Sequence, residues 1–106
     1  MPVNVITTAG EFQEFILHSS DLVVLDCYAE WCGPCKAIAP LIEKWSDEYE
    51  NIKFYKLDVE KANDLAVELN VTAMPTFMFF NKGEKVTEIV GVDQRQIVGA
   101  IMALAA

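Results

Sequence analysis

The chain has 106 residues, 53% of them hydrophobic, enough for one domain to bury a core without staples, and residues 1–106 are read as a single domain. Sixteen acidic against eight basic residues give a formal charge of -8, which repels phosphate backbones and anionic lipid and argues against nucleic acid as a partner. No run of about 18 or more apolar residues suits a bilayer, and the start Met1-Pro2-Val3-Asn4 lacks the features of a signal peptide, so a soluble cytoplasmic protein without membrane partners is expected.

Taken in chain order, residues 3–6 read as a short strand. Thr8 followed by Glu11 makes a capping box that opens a helix, with Phe12, Phe15 and Ile16 on one face and an end near residues 18–20. Residues 22–28 are a β-branched and apolar run broken only by Asp26, as for a strand covered on both faces. From Cys32 onward, Ile38, Leu41, Ile42, Trp45 and Tyr49 recur at helical spacing, with Pro40 inside the pattern and a kink expected there.

Residues 52–59 form a third strand, and Leu65, Ala66 and Leu69 mark a helix over 63–69 as a crossover. Residues 76–80 and 85–90 are two strands close enough around Asn81-Lys82-Gly83-Glu84 to make an antiparallel hairpin. Asp93 caps a last helix with Gln96 three residues on and Ile97, Ile101 and Leu104 inward. The order β-α-β-α-β-α-β-β-α implies an α/β fold, a mixed sheet with helices on both faces.

Three cysteines without an export signal do not make a disulfide framework. Two of them, Cys32 and Cys35, sit where a strand gives way to a helix. Disulfide exchange needs a thiolate to attack a substrate sulfur and a second thiol near enough to displace the mixed disulfide; two intervening residues supply that. Free N–H groups and the positive dipole end at the helix start favour a thiolate at Cys32, which makes Cys32 the nucleophile and Cys35 the resolving thiol. Gly33-Pro34 adds no donor or charge beside Cys32, whereas a histidine at the second position would make the disulfide more oxidising, so the pair is tuned toward reduction. Half a zinc site is the alternative, but only Cys27 and His18 remain as soft ligands and no metal is expected. Cys27 is read as a small buried core residue rather than a regulatory thiol, and His18 as a helix-end residue.

The string Ala29-Glu30-Trp31-Cys32-Gly33-Pro34-Cys35-Lys36, with Pro40, Lys56-Leu57-Asp58, Ala73-Met74-Pro75-Thr76-Phe77 and the stretch from Gly83 to Gly91, strongly resembles the thioredoxin family over nearly the whole chain. The resemblance implies the thioredoxin fold: a central five-stranded mixed sheet flanked by four helices, its hairpin strands antiparallel to the rest. It further implies a cis Pro75 facing the cysteines, with the Met74 backbone pairing with an extended substrate. Asp26 is implied beneath the site as the group that exchanges a proton with Cys35, with Lys56 as its electrostatic neighbour. An acid buried among Val24, Leu25 and Cys27 would resist ionisation, as that role requires; the alternative is a structural acid.

Trp31, Gly33, Pro34, Met74, Gly91 and Val92 are implied to form the apolar surface that receives client proteins, Trp31 bordering a thiol taken to be exposed. Cys27 and Tyr28 depart from the family pattern, the first where an aromatic is usual and the second where several members carry tryptophan. The resemblance implies a monomeric protein-disulfide reductase with no bound cofactor. Its electrons would come from NADPH through a thioredoxin reductase, and its clients would include peroxiredoxin, methionine sulfoxide reductase and ribonucleotide reductase. Two rival readings are an oxidase or isomerase on the same fold, and an adaptor that uses the surface with the cysteines incidental.

Overall fold

The computed structural model describes residues 3–106, so Met1 and Pro2, the start of the segment compared with a signal peptide, lie outside the described residues. Strand β1, Asn4–Val5, is shorter than expected, although Ile6 N–H still donates to the Lys56 carbonyl at 2.8 Å. Helix α1 begins at Ala9–Phe12 behind the expected capping box: Glu11 N–H donates to Thr8 Oγ1 at 3.0 Å, and Thr8 N–H to Glu11 Oε1 at 3.2 Å. It continues as a π-wound segment, Gln13–Leu17, in which His18 N–H reaches back to the Gln13 carbonyl. Each residue of this wider winding turns through less than the ~100° of an α-helix, so Phe15 does not come round to the face that Phe12 and Ile16 bury. Phe12 and Ile16 are buried as expected, but Phe15 lies outside, 39% exposed and stacked on Tyr55.

The remaining elements follow the expected order: β2 (Leu22–Tyr28), α2 (Gly33–Glu48), β3 (Ile52–Asp58), α3 (Asn63–Glu68), β4 (Thr76–Asn81), β5 (Glu84–Val90) and α4 (Gln94–Ala105). The strands lie side by side as β1-β3-β2-β4-β5. β3 runs parallel to β1 and β2, while β4 is antiparallel to β2 and β5, which makes the five-stranded mixed sheet. Parallel neighbours need crossover helices, and these occupy both faces.

Strict alternation along the central strands builds the two cores. Val23, Leu25 and Cys27 of β2, with Met78 and Phe80 of β4, pack with Phe12 and Ile16 of α1 and with Leu65 and Ala66 of α3. Val24, Phe77 and Phe79 face the other way, among Ile38, Ile42 and Trp45 of α2 and Ile97, Ile101 and Leu104 of α4. Each fully buried phenylalanine contributes about 1.5–3 kcal/mol of transfer free energy. The same alternation puts Asp26 on the α2 face and Cys27 on the opposite one.

The β4–β5 hairpin closes through Lys82 and Gly83, at φ 53° and 83°, between the paired Asn81 and Glu84. Two consecutive positive φ values give the primed turn that matches strand twist. Gly83 is doubly required, because a Cβ there would collide with the Leu17 carbonyl. At the far end Asp93 caps α4, its Oδ1 accepting from Arg95 N–H at 3.0 Å and Gln96 N–H at 3.2 Å. Among the described residues no helix is long and apolar enough to cross a membrane.

Candidate active site

Cys32 is the N-cap of α2, so the site begins where β2 has ended and the first free N–H groups of the helix point outward. Gly33 and Pro34 occupy the first turn, and Cys35 follows one position later. Cys32 and Cys35 are joined as a disulfide with their Cα atoms 5.3 Å apart. Cys35 N–H donates to Cys32 Sγ at 3.1 Å, the bond that a capping side chain ordinarily takes. The same amide and the helix dipole are in place to stabilise negative charge on that sulfur.

Cys32 is 3% exposed and Cys35 5%, against the expectation of an exposed attacking thiol. One reason is the loop before β4, which brings the Met74 carbonyl oxygen within 3.8 Å of Cys32 Sγ. Only a narrow line of approach to the sulfur is left. The Met74–Pro75 bond is cis, as the family pattern implied, and Pro75 is buried. Pro75 in turn accepts from Gly91 N–H at 2.9 Å, with Gly91 at φ 102°, so the end of β5 is tied to the cis-proline loop. Val92, 40% exposed, lines a shallow groove with Pro34, Ala37, Ile38 and Gln94. Trp31, immediately before Cys32, is 63% exposed.

Beneath the pair, on the α2 face, a cleft of about 160 Å³ is lined by Asp26, Tyr28, Ala29, Glu30, Cys35, Lys36, Ala39 and Lys56. Asp26 is 7% exposed and its Oδ1 has no hydrogen-bond partner among the described residues. Burial pushes its carboxyl up to about 7, with the positive charge of Lys56 pulling the other way. The structure therefore brings Asp26, Lys56 and Cys35 to one cavity. Cys27, one residue along, is turned to the other core, where burial and then the neighbouring Asp26 charge push its thiol up to about 12.

Tyr28 and Ala39 also line the cleft, and neither was assigned to the site from sequence. Ala39 was within reach, since it lies four residues from Cys35 on the same helical face. Tyr28 was visible only as a departure from the family pattern. Among the described residues no group of three or more His, Cys, Asp or Glu is placed to hold a metal ion.

The family profile described as Thioredoxin matches residues 3–103. The chain belongs to the thioredoxin family. It is 48% identical over 103 residues to Thioredoxin Asp f 29 of Aspergillus fumigatus, covering 95% of this chain and 94% of that one. Its fold is that of the crystal structure of Malassezia sympodialis thioredoxin (Mala s 13), with a TM-score of 0.91 at 39% identity over 99% of this chain and 92% of the other. A chain from work on thiol resolution in a yeast mitochondrial 1-Cys peroxiredoxin via glutathione/thioredoxin systems gives a TM-score of 0.90 at 34% identity, covering 95% and 94%.

With the family and the cysteine pair in hand, the chain is a protein thiol-disulfide oxidoreductase on the thioredoxin fold. The chemistry of a thioredoxin resides in its cysteine pair and needs no bound cofactor. Thioredoxins work with a thioredoxin reductase on one side and with clients of the peroxiredoxin type on the other.

Proposed function

We propose that the chain is a general protein-disulfide reductase and electron carrier, working in the reducing direction through Cys32 and Cys35. The observation that carries this is Cys32 at the N-cap of α2, its sulfur accepting the Cys35 N–H. In the dithiol form, the Cys32 thiolate attacks one sulfur of a client disulfide. The client S–S bond breaks, a mixed disulfide forms, and the first client thiolate leaves and takes up a proton. Cys35 then loses its proton to the Asp26 carboxylate and attacks the Cys32 sulfur, which releases the second client thiolate. Two electrons have passed to the client, and the pair is left as the Cys32–Cys35 disulfide.

Asp26 suits this role because its elevated value lets it gain and lose a proton near neutrality, with Lys56 as its electrostatic neighbour. Gly33 and Pro34 favour the reducing direction by adding no charge beside Cys32. Trp31, Met74, Pro75, Gly91 and Val92 form the client surface, with the Met74 backbone meeting an extended client segment. The oxidised pair is returned to the dithiol by a thioredoxin reductase drawing on NADPH. Clients include peroxiredoxin, methionine sulfoxide reductase and ribonucleotide reductase; the likeness to the chain from the yeast peroxiredoxin work supports the first. The reading is of a cytoplasmic monomer acting as one domain, 1–106, in keeping with a family match over 3–103.

The test is NADPH oxidation coupled through a thioredoxin reductase to reduction of a disulfide-bonded protein. Turnover that stops with Cys32→Ser and with Cys35→Ser is expected. Unchanged turnover in either variant would sink the reading.

A further inference from the structure

Asp26 and Lys56 are paired across β2 and β3, and Tyr28 stands two residues along β2 from Asp26, so all three side chains leave the same face of the sheet. They meet at the cleft that also contains Cys35. Lys56 Nζ lies 5.8 Å from the centroid of the Tyr28 ring, within the range of a cation–π contact. Among the described residues Lys56 makes no salt bridge, and its ammonium faces the Tyr28 ring. A lysine stem has four rotatable bonds and readily carries its charge out to water; a half-buried tyrosine has two and is fixed by its strand.

We propose that Tyr28 is a positioning residue of the redox reaction: its ring face keeps the Lys56 ammonium at the cleft, where that charge acts on Asp26. This rests on the reading that Asp26 takes the Cys35 proton. In this role Tyr28 acts through Lys56, whose ammonium its ring faces.

The charged and titratable groups around the three are few. Glu30, Cys35 and Lys36 line the cleft itself, from the loop after β2 and from α2. Asp58, beside Tyr28 on β3, and Lys61 lie next to the phenol, and Cys27 adjoins Asp26 from the opposite face; on β4 the residue across from Asp26 is the uncharged Phe77. Burial, followed by the carboxylates of Asp58 and Glu30, holds the Tyr28 phenol above its ordinary value, so the ring remains neutral through the working range. Of the cations in this set, Lys56 is the one whose charge acts on Asp26.

The experiment follows the Asp26 carboxyl by carbon NMR during pH titration of the reduced protein, alongside the pH profile of disulfide reduction. Tyr28→Leu removes the ring and is expected to raise the Asp26 midpoint by about half a pH unit, with the rate profile moving alkaline by the same amount. Tyr28→Phe keeps the ring face and is expected to restore the native midpoint. Lys56→Met alone should raise the midpoint, and Tyr28→Leu added to it should raise it no further.

The proposal is overturned if Tyr28→Leu leaves the midpoint in place or lowers it, if Tyr28→Phe behaves like Tyr28→Leu, or if the effect of Tyr28→Leu persists without Lys56. Should Tyr28→Leu not fold, an unmoved midpoint in Lys56→Met overturns it equally. Asp26→Asn separates the two readings. A rate profile unaltered by that change defeats the proton-transfer role of Asp26, while the titrations still decide what Tyr28 and Lys56 do to the carboxyl.

Discussion

Asp26 lies directly across from Lys56 in the parallel pairing of β2 and β3, yet the two form no salt bridge: the acid is buried under Cys35 and the ammonium rests over the Tyr28 ring. The carboxyl therefore feels a positive charge without being neutralised by it, and desolvation prevails. A tight ion pair would hold Asp26 permanently ionised and remove its capacity to take a proton.

The elevated value of Asp26 has a cost in stability. Its folded value is about 7, against about 4 for an unfolded aspartate, so between these pH values the folded state holds the extra proton. Stability thus falls as pH rises through this window, by about 4 kcal/mol in total, and the loss is nearly complete above pH 7. Urea unfolding of the protein at pH 4, 6 and 8 should show this decline, and Asp26→Asn should flatten it. An equal decline in the variant would assign the dependence to other groups.

The two thiols are assigned different steps, attack to Cys32 and resolution to Cys35. With Cys35→Ser, attack by Cys32 proceeds but resolution does not, so client proteins should accumulate as mixed disulfides that dithiothreitol releases. With Cys32→Ser none should accumulate. Non-reducing gels of the purified variants with a disulfide-bonded substrate report this directly, and adducts formed only through Cys35 would reverse the assignment.

Gly83 carries a backbone requirement far from the chemistry. Gly83→Ala places a Cβ against the Leu17 carbonyl at a residue with φ 83°, so either the hairpin or the end of α1 must move. A loss on the order of 2–4 kcal/mol is expected from strain and displaced backbone together. Denaturant midpoints would measure it, and a change under about 0.5 kcal/mol would show that the turn relaxes freely.

Trp31 is exposed enough that its removal should spare the fold. Trp31→Ala is expected to change stability by less than about 0.5 kcal/mol but to lower kcat/KM for a protein disulfide roughly tenfold, the size of an interface anchor. Reduction of a small disulfide, which makes no use of the surface, should be nearly unaffected. Equal losses for both substrates would place Trp31 in the chemistry instead of in recognition.

Much of this molecule is written in short-range pattern. The Thr8–Glu11 capping box, the Asp93 cap, the apolar spacing along α2 and α4, the turn at Lys82-Gly83 and the cysteine spacing all depend on residues within a few positions of one another. Such features are legible in the amino-acid sequence, as is the buried acid in β2. Phe15 shows where local pattern misleads, because the π winding that turns it outward leaves the apolar periodicity of the sequence unaltered.

Other properties arise from contacts between segments far apart in the chain. Strand pairing sets Asp26 against Lys56, and strand alternation sends Cys27 to one core and Asp26 to the other. The loop before β4 crosses the chain to cover Cys32, which is why a thiol read as exposed is nearly buried. Tyr28 acquires its place over Lys56 in the same way. Spacing along a chain encodes helices, turns and a reactive cysteine pair; the environment that tunes a proton or a sulfur is assembled by packing between distant residues, and packing is what a linear pattern does not carry.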